Sequence, residues 1–290
     1  MMYSQPMRCR PIKQKDVLIT GCSSGIGRAT AHRLRADGWR VFPTARKPED
    51  LAGLRNEGFD PIALDLLDSR SIEQAVDEAQ SRSEGRLTCL VNNAGFGQAG
   101  AMEDLSRETM RAQFEVNVFG LQELTNRLLP RMRALGEGRI INISSVLGRV
   151  TLPYLGCYSG SKHALESFTD AMRIELGGSG IGVVLIEPGP IATEFRTNLV
   201  TYAQENLTLE KGHHTERYQA DLERRGEASA AQSFFTLPPA AVAKVVSHAL
   251  SSNRPRRRYR VTWPAHLGEW LRRFAPDAVI DAAMKLQAKS

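Results

Sequence analysis

Cysteine is scarce in this 290-residue chain, and the way it is spread excludes two kinds of site. Cys9, Cys22, Cys89 and Cys157 form no CxxC pair and show no metal-ligand spacing, which suits a reducing compartment and offers no disulfide framework. Of the six histidines, His213 and His214 are adjacent, so their side chains do not converge on one ion, and the others are scattered; no metal site is expected. There is no apolar run long enough to span a bilayer. Residues 1–15, MMYSQPMRCRPIKQK, are basic and polar rather than a signal peptide, so they read as a flexible leader on a cytoplasmic protein. Internal repeats and low-complexity tracts are also missing. The formal net charge is only +6 over the whole chain, which favours anionic ligands such as phosphates without implying nucleic acid. The one dense basic stretch is RPRRRYR, Arg254 to Arg260, read as a solvated face or a contact to a phosphate, a membrane or a partner.

What is present is an ordinary globular mixture, 42% hydrophobic and 24% charged, enough for one large core or two small ones. Short runs rich in Val, Ile and Leu alternate with helical patterns. Strands are predicted at 16–20, 39–45, 61–65, 87–95 (running into a loop), 138–145, 180–189 and near Tyr259 to Thr262. Helices are predicted between them, including a long one over 106–135 and one beginning at Cys157. Near-continuous apolar strands are buried on both faces. With helices between them, the pattern predicts an α/β fold: a Rossmann-type doubly wound parallel sheet of about seven strands in a single domain. The catalytic domain is placed at 16–253 and a C-terminal strand and helical extension at 254–290. Residues 190–236 break the alternation; they are polar and turn-rich, with Phe195, Leu199, Phe234 and Phe235 interspersed, and read as a substrate lid.

Two local patterns point to a dinucleotide. The first strand runs into TGCSSGIG, Thr20 to Gly27. Gly21 permits a tight turn, Gly25 lets backbone approach a pyrophosphate, and Gly27 lets the following helix pack close to the sheet. The helix N-terminus, with Ser23, Ser24 and Ile26 around it, then offers free N–H groups to the phosphates. The second strand ends at Ala45 and continues into Arg46 and Lys47. An acidic residue there would bind the ribose hydroxyls of NAD, whereas cations suit a 2′-phosphate, so NADP is expected, with NADPH preferred over NADH.

A third pattern carries chemistry. In CYSGSKHALE, Tyr158 and Lys162 stand four residues apart, on one face of a helix whose apolar stripe runs through Leu165, Phe168, Met172 and Leu176. A cation within about 4–6 Å of a phenol favours the phenolate, so the lysine is expected to lower the tyrosine pKa. Either the pair is a solvated edge, or the lysine makes the phenol usable as an acid and a base.

TGCSSGIG, NNAG (92–95), Asn117, the Ser144–Ser145 pair, Tyr158 with Lys162, and PGPIAT (188–193) occur in that order. Together they resemble the short-chain dehydrogenase/reductase superfamily over about residues 15–195. In finer look the chain is similar to bacterial NADP-dependent aldehyde reductases, with 17β-hydroxysteroid and retinol dehydrogenases in the same neighbourhood. The resemblance implies that Tyr158 is the general acid/base and that Lys162 holds the nicotinamide ribose. It selects Ser145 over Ser144, thirteen positions before the tyrosine, as the substrate-oxygen donor, and Asn117 as the holder of a relay water. Asp65, with Leu66, is implied to contact adenine, and Asn93, Ala94 and Gly95 the adenosine ribose. Pro188, Gly189, Ile191 and Thr193 are implied to border the nicotinamide.

The substrate pocket is expected from Phe96, Leu147, Val150, Tyr154, Phe195 and the lid aromatics, which is mostly apolar and lacks a cation for a substrate carboxylate. The leading reading is NADPH-dependent reduction of an uncharged apolar aldehyde or ketone. The alternatives are oxidation of a steroid or retinoid alcohol, and a catalytically silent NADP-binding regulatory protein. Cys157, beside Tyr158, and Cys22, in the phosphate loop, read as structural thiols, with oxidative inhibition as the alternative. The resemblance also implies a homo-oligomer, a dimer or tetramer. The tail LGEWLRRFAP (267–276) is amphipathic; packing on the core is its expected use, and docking on a membrane or partner the alternative.

Overall fold

The apolar runs become strands with almost every side chain buried: Asp16–Ile19 (β1), Arg40–Ala45 (β2), Cys89–Asn92 (β4), Gly138–Ile143 (β5) and Ile181–Glu187 (β6). Ile62–Ala63 (β3) and Arg258–Arg260 (β7) complete a seven-stranded sheet of order β3-β2-β1-β4-β5-β6-β7, and every neighbouring pair is parallel. The computed structural model describes residues 7, 9–207, 213, 214, 216, 218 and 236–289, with side chains to 286. Among these, helices α1 (Gly25–Ala36), α2 (Pro48–Asn56) and α8 (Pro239–Ser251) lie with one face of the sheet, and α3 (Ser69–Arg82), α5 (Leu121–Leu135) and α6 (Gly156–Glu175) with the other.

Alternation along the strands divides the core in two. Val17 and Ile19 face one cluster with Leu34, Val242 and Val246, while Leu18 faces the other with Leu90, Leu124 and Leu128. Each such side chain contributes about 1.5–3 kcal/mol on full burial. The chain reverses its direction of winding at β1, whose neighbours are β2 and β4. In open α/β sheets the crevice beyond the strand ends at that point is where ligands bind.

Several elements differ from the sequence expectation. The third strand shrinks to the two residues of β3 because Asp65 turns the chain, its carboxylate accepting from Leu67 N at 3.0 Å. The long helix over 106–135 is divided into α4 (Arg107–Phe114), a π-helical segment at Glu115–Gly120 and α5. Within 190–236 a helix forms, α7 (Phe195–Asn206), which buries only Leu199 and Ala203 and so shows little periodicity. Phe234 and Phe235 lie outside the described residues.

The flexible leader is also corrected where it is described. Met7 is buried and donates to Pro255 O at 2.8 Å, Arg10 N donates to Gly180 O at 3.2 Å, and Lys13 N donates to Glu137 at 3.4 Å. The fully buried Arg139 holds Cys9 Sγ at 3.0 Å and donates to Ser252 O at 3.2 Å. A guanidinium inside the protein needs acceptors, and the leader supplies one of them.

Candidate active site

The glycine turn is fixed from below by side chains. Thr20 Oγ1 accepts from Asn93 N at 3.0 Å and Ala94 N at 2.9 Å, and Asn93 Nδ2 donates to the carbonyls of Thr20 (3.0 Å) and Gly21 (2.9 Å). Gly21 has φ +70°, and a Cβ on it would stand 2.8 Å from Ala94 Cα. A Cβ on Gly27 would stand 2.5 Å from Asn93 Nδ2, and one on Gly25 3.1 Å from Thr193 Cγ2. The cradle is therefore open only because the side chains are absent. Ser24 sits at the N-cap of α1 but makes no side-chain cap, and the first turn holds no acidic residue. Its N–H groups thus remain available to an anion. These features fit the diphosphate of a dinucleotide.

Arg46 and Lys47 are exposed where β2 ends, on the same sheet edge, with Cys22 N bound to Thr44 O at 2.8 Å. The neutral Ala45 before them is buried. Asp65 follows β3, and Leu66 packs beneath Gly120, where a Cβ would lie 2.9 Å from Leu66 Cβ. Asn93 reaches the site as a brace, since its side chain is committed to the glycine turn. Ile191 pairs with Leu237 in an isolated parallel bridge, so both ends of the 190–236 segment are tied together at its base, next to Pro188 and Gly189.

The π-helical turn brings Asn117 inward, fully buried. Such turns often mark functional sites. Its amide hydrogens go to Phe96 O (2.9 Å) and Ser161 Oγ (3.1 Å), and its oxygen accepts from Phe96 N (3.1 Å). The side chain therefore holds the strand end against α6 and has no donor left for a water.

Ser145 leads the short 3-10 turn Val146–Gly148 and accepts from Leu147 N at 3.1 Å. Its hydroxyl is hydrogen-bonded to Tyr158 in the first turn of α6. Lys162 Nζ donates to Ile143 O at 2.9 Å and lies 5.9 Å from the Tyr158 ring centroid. The structure thus brings Ser145, Tyr158, Lys162 and Asn117 together, with the first two in direct contact.

Burial dominates the protonation of the pair. It pushes the Tyr158 phenol up to about 12, against a smaller opposing effect from the Ser145 hydrogen bond. It brings the Lys162 ammonium down to about 8, with Glu166 one turn further on opposing the shift. Burial thus outweighs the expected lowering of the phenol by the lysine. At neutral pH the resting pair is a protonated phenol and a cationic lysine.

Of the expected pocket residues, Leu147, Tyr154 and Phe195 join an apolar cluster with Leu155, Leu199 and Leu207. The Phe195 ring lies 5.2 Å from that of Tyr158. Phe96 instead packs on Tyr202 at 4.8 Å, and Val150 is buried under the C-terminal extension at Gly268. A cavity of about 700 Å³ runs beside Ser24, Gly25 and Ile191 to Thr193 and does not include Tyr158. Another, of about 340 Å³, is lined by Met102, Leu152, Tyr154 and Met284.

Sequence reading missed Thr20, Ser161 and Gln113. Gln113 Nε2 donates to Phe96 O at 2.7 Å and its oxygen accepts from Gln98 N at 2.8 Å. The spacing of Gln113 and Asn117, one helical turn, was the available signal.

The two cysteines nearest the site are buried thiols. Cys22 is fully buried, donates to Ile19 O and is pushed up to about 12, and burial holds Cys157 at about 11. Peroxide attacks the thiolate rather than the thiol, so hydrogen peroxide is expected to leave activity unchanged. Dose-dependent inactivation that is lost in Cys157→Ala would contradict this.

Comparison with known proteins agrees with this geometry. Residues 15–204 match the family model for short chain dehydrogenase. An oxidoreductase of Escherichia coli, YbbO, is 42% identical over 274 residues, covering 94% of this chain and 95% of its own. The NADPH-dependent 3-dehydrocapnine reductase of Ornithobacterium rhinotracheale is 34% identical, over 91% of this chain and 94% of its own. The crystal structure of a short-chain dehydrogenase from Streptomyces avermitilis superimposes with a TM-score of 0.76 at 29% identity, over 95% of this chain and 98% of its own.

Proposed function

The chain belongs to the short-chain dehydrogenase/reductase family of oxidoreductases, and we propose that it reduces an uncharged apolar aldehyde or ketone to the alcohol with NADPH. The observation that carries this reading is the state of Tyr158: a buried phenol that holds its proton, bonded to Ser145 and facing an apolar cluster. Reduction needs a proton donor at the carbonyl oxygen, and such a phenol is one. When bound, NADPH supplies the hydride.

The chain's own groups divide the remaining work. Ser145, already accepting from Leu147 N, directs its hydroxyl hydrogen toward the substrate oxygen and the negative charge that develops there. Lys162 spends one N–H on Ile143 O and keeps the others, with its charge, for the nicotinamide ribose. The first turn of α1 holds the diphosphate, Asp65 and Leu66 the adenine, and the Pro188 to Thr193 segment the nicotinamide. Phe195, Leu147 and Tyr154 exclude water from the substrate side. Exposed Phe119 and Phe168 fit assembly of a dimer or tetramer through the α5–α6 side.

The test is NADPH consumption by the purified protein against a series of aldehydes and ketones, with NADH in parallel. Turnover of several apolar carbonyls with NADPH preferred is expected. NADPH binding without turnover of any of them would overturn the reading. Cofactor choice has its own test at Arg46. A charge-assisted contact to phosphate is worth about 1.5–3 kcal/mol, so Arg46→Asp should erode the NADPH-to-NADH preference roughly 10- to 100-fold. An unchanged ratio would remove Arg46 from the 2′-phosphate.

A further inference from the structure

The helix Trp263–Phe274 (α9) is amphipathic, but it faces the core with the wrong side. Its buried residues are the small ones, Ala265 and Gly268. Gly268 lies so close to the turn after Ser145 that a Cβ would stand 3.0 Å from Val146 Cγ2. The large apolar residues point away. Trp263, Leu267, Trp270 and Phe274 are 62%, 37%, 58% and 63% exposed. Their spacing of four, three and four residues sets them in one stripe along the outer face. The following helix, Asp277–Lys289 (α10), adds exposed Val279 and Leu286. Single exposed apolar residues are normal, but a contiguous stripe of this size marks an interaction site. The tail does meet the core, but through its small face, and its apolar stripe is left outside.

We propose that the outer face of α9 docks on an anionic lipid bilayer, lying in its interfacial plane. Charge selects this occupant. Arg273 stands exposed at the C-terminal end of the stripe, its guanidinium 5.7 Å from the Phe274 ring. The acidic residue of α9, Glu269, is turned inward and neutralised by Arg149 at 2.8 Å and Arg260 at 3.4 Å. Asp277, just beyond the helix, is met by Arg272 at 3.4 Å. The outer face thus offers apolar bulk, two indoles and a cation at its end, the combination that interfacial helices present to acidic headgroups. No helix among the described residues is long and apolar enough to cross a membrane, so the contact is peripheral.

The inner face of α9 meets the turn that begins at Ser145, and the cavity lined by Met102, Tyr154, Met284 and Lys285 opens beside α10. Docking would set the substrate side of the site at the lipid surface, where apolar carbonyls partition. The docking itself stands independently of the proposed reaction.

The test is co-sedimentation of the full chain with vesicles of phosphatidylcholine, alone or with phosphatidylglycerol. Binding to the anionic vesicles, weakening as salt is raised, is expected. Trp270→Glu with Phe274→Glu should cut the pelleted fraction about tenfold or more. Both side chains are exposed, and thermal melts rather than turnover control for folding, so failure of the substrate reading leaves this result intact. Should the variant not fold, a blue shift of wild-type tryptophan emission on adding anionic vesicles serves instead. A full chain that stays in the supernatant at every composition would overturn the proposal. So would a variant that pellets like wild type, or a vesicle-free dimer that the two substitutions split while nothing pellets, because the face would then belong to a second copy of the chain.

Discussion

Tyr158→Phe is expected to lower kcat/KM for carbonyl reduction by roughly 10²–10⁴-fold, the usual contribution of a positioned general acid. The substitution removes one oxygen and leaves the ring's contact with Phe195, at 5.2 Å, in place. Lys162 stays anchored on Ile143 O, so the geometry around the missing hydroxyl is preserved. Loss of the Ser145 hydrogen bond is offset by relief of a buried polar group, and stability should change by only about 1 kcal/mol. The diphosphate cradle and Arg46 are untouched, so a fluorescence titration should give NADPH binding close to wild type. Near-normal turnover would remove Tyr158 from the reaction. The pH profile separates the roles of the pair. Because the phenol is held up at about 12, reduction is not limited by its ionisation at ordinary pH. Lys162, brought down to about 8, is cationic below that value and neutral above it. Activity in the reductive direction should therefore hold level below about pH 8 and fall above it, and Lys162→Met should remove that limb along with most of the activity.

What the sequence made legible is what depends on local spacing. Gly21, Gly25 and Gly27 identify a cradle because three close approaches in one turn require three missing side chains. Tyr158 and Lys162 identify a functional pair because one helical turn separates them, and the Val and Ile runs fix a buried parallel sheet. The π-helical turn at Asn117 was not legible, since Glu115 to Gly120 contains no breaker before its last residue; it is set by tertiary contacts to Phe96 and Ser161. The phenol's pKa also escaped, because spacing shows that a lysine is near but not how deeply both groups are buried. The direction of α9 escaped for a related reason. Periodicity reports a stripe, not which side of the helix meets the core, and Ala265 and Gly268 carry no hydrophobic signal. Arg139, reaching from β5 to Cys9, joins residues more than a hundred positions apart, which no local pattern records.

The same limit hides the purpose of RPRRRYR, and there the largest stability effect is expected. Arg258 is almost buried and meets three carboxylates: Glu166 on α6, Glu187 at 2.6 Å on β6 and Asp170 at 2.5 Å. Glu166 and Glu187 are themselves buried and repel one another, and burial raises Glu166 above the usual carboxylate range. Removing the guanidinium strands two buried anions, with Arg260 left on Glu187 at 3.1 Å. Arg258→Met should therefore destabilise the protein by about 3–5 kcal/mol and lower Tm by on the order of 10 °C. The damage should reach the site, because Glu166 lies one turn from Lys162 and a Cβ on Gly148 would stand 3.0 Å from Glu166 Cγ and 2.7 Å from Ser144 Oγ. The pH dependence has a definite sign. Without Arg258 the folded-state pKa of Glu166, already raised by burial, rises further, so the folded state binds more protons than the unfolded one. A raised carboxyl pKa stabilises at low pH and loses that stability as pH rises through the folded value. The deficit of Arg258→Met against wild type should thus be full at pH 8 and shrink toward pH 5. Arg258→Lys should recover only part of the loss, since an ammonium restores the charge but not the fork that spans three partners. An unchanged Tm at pH 8, or a deficit that widens on acidification, would show that the cluster is not held together by this arginine.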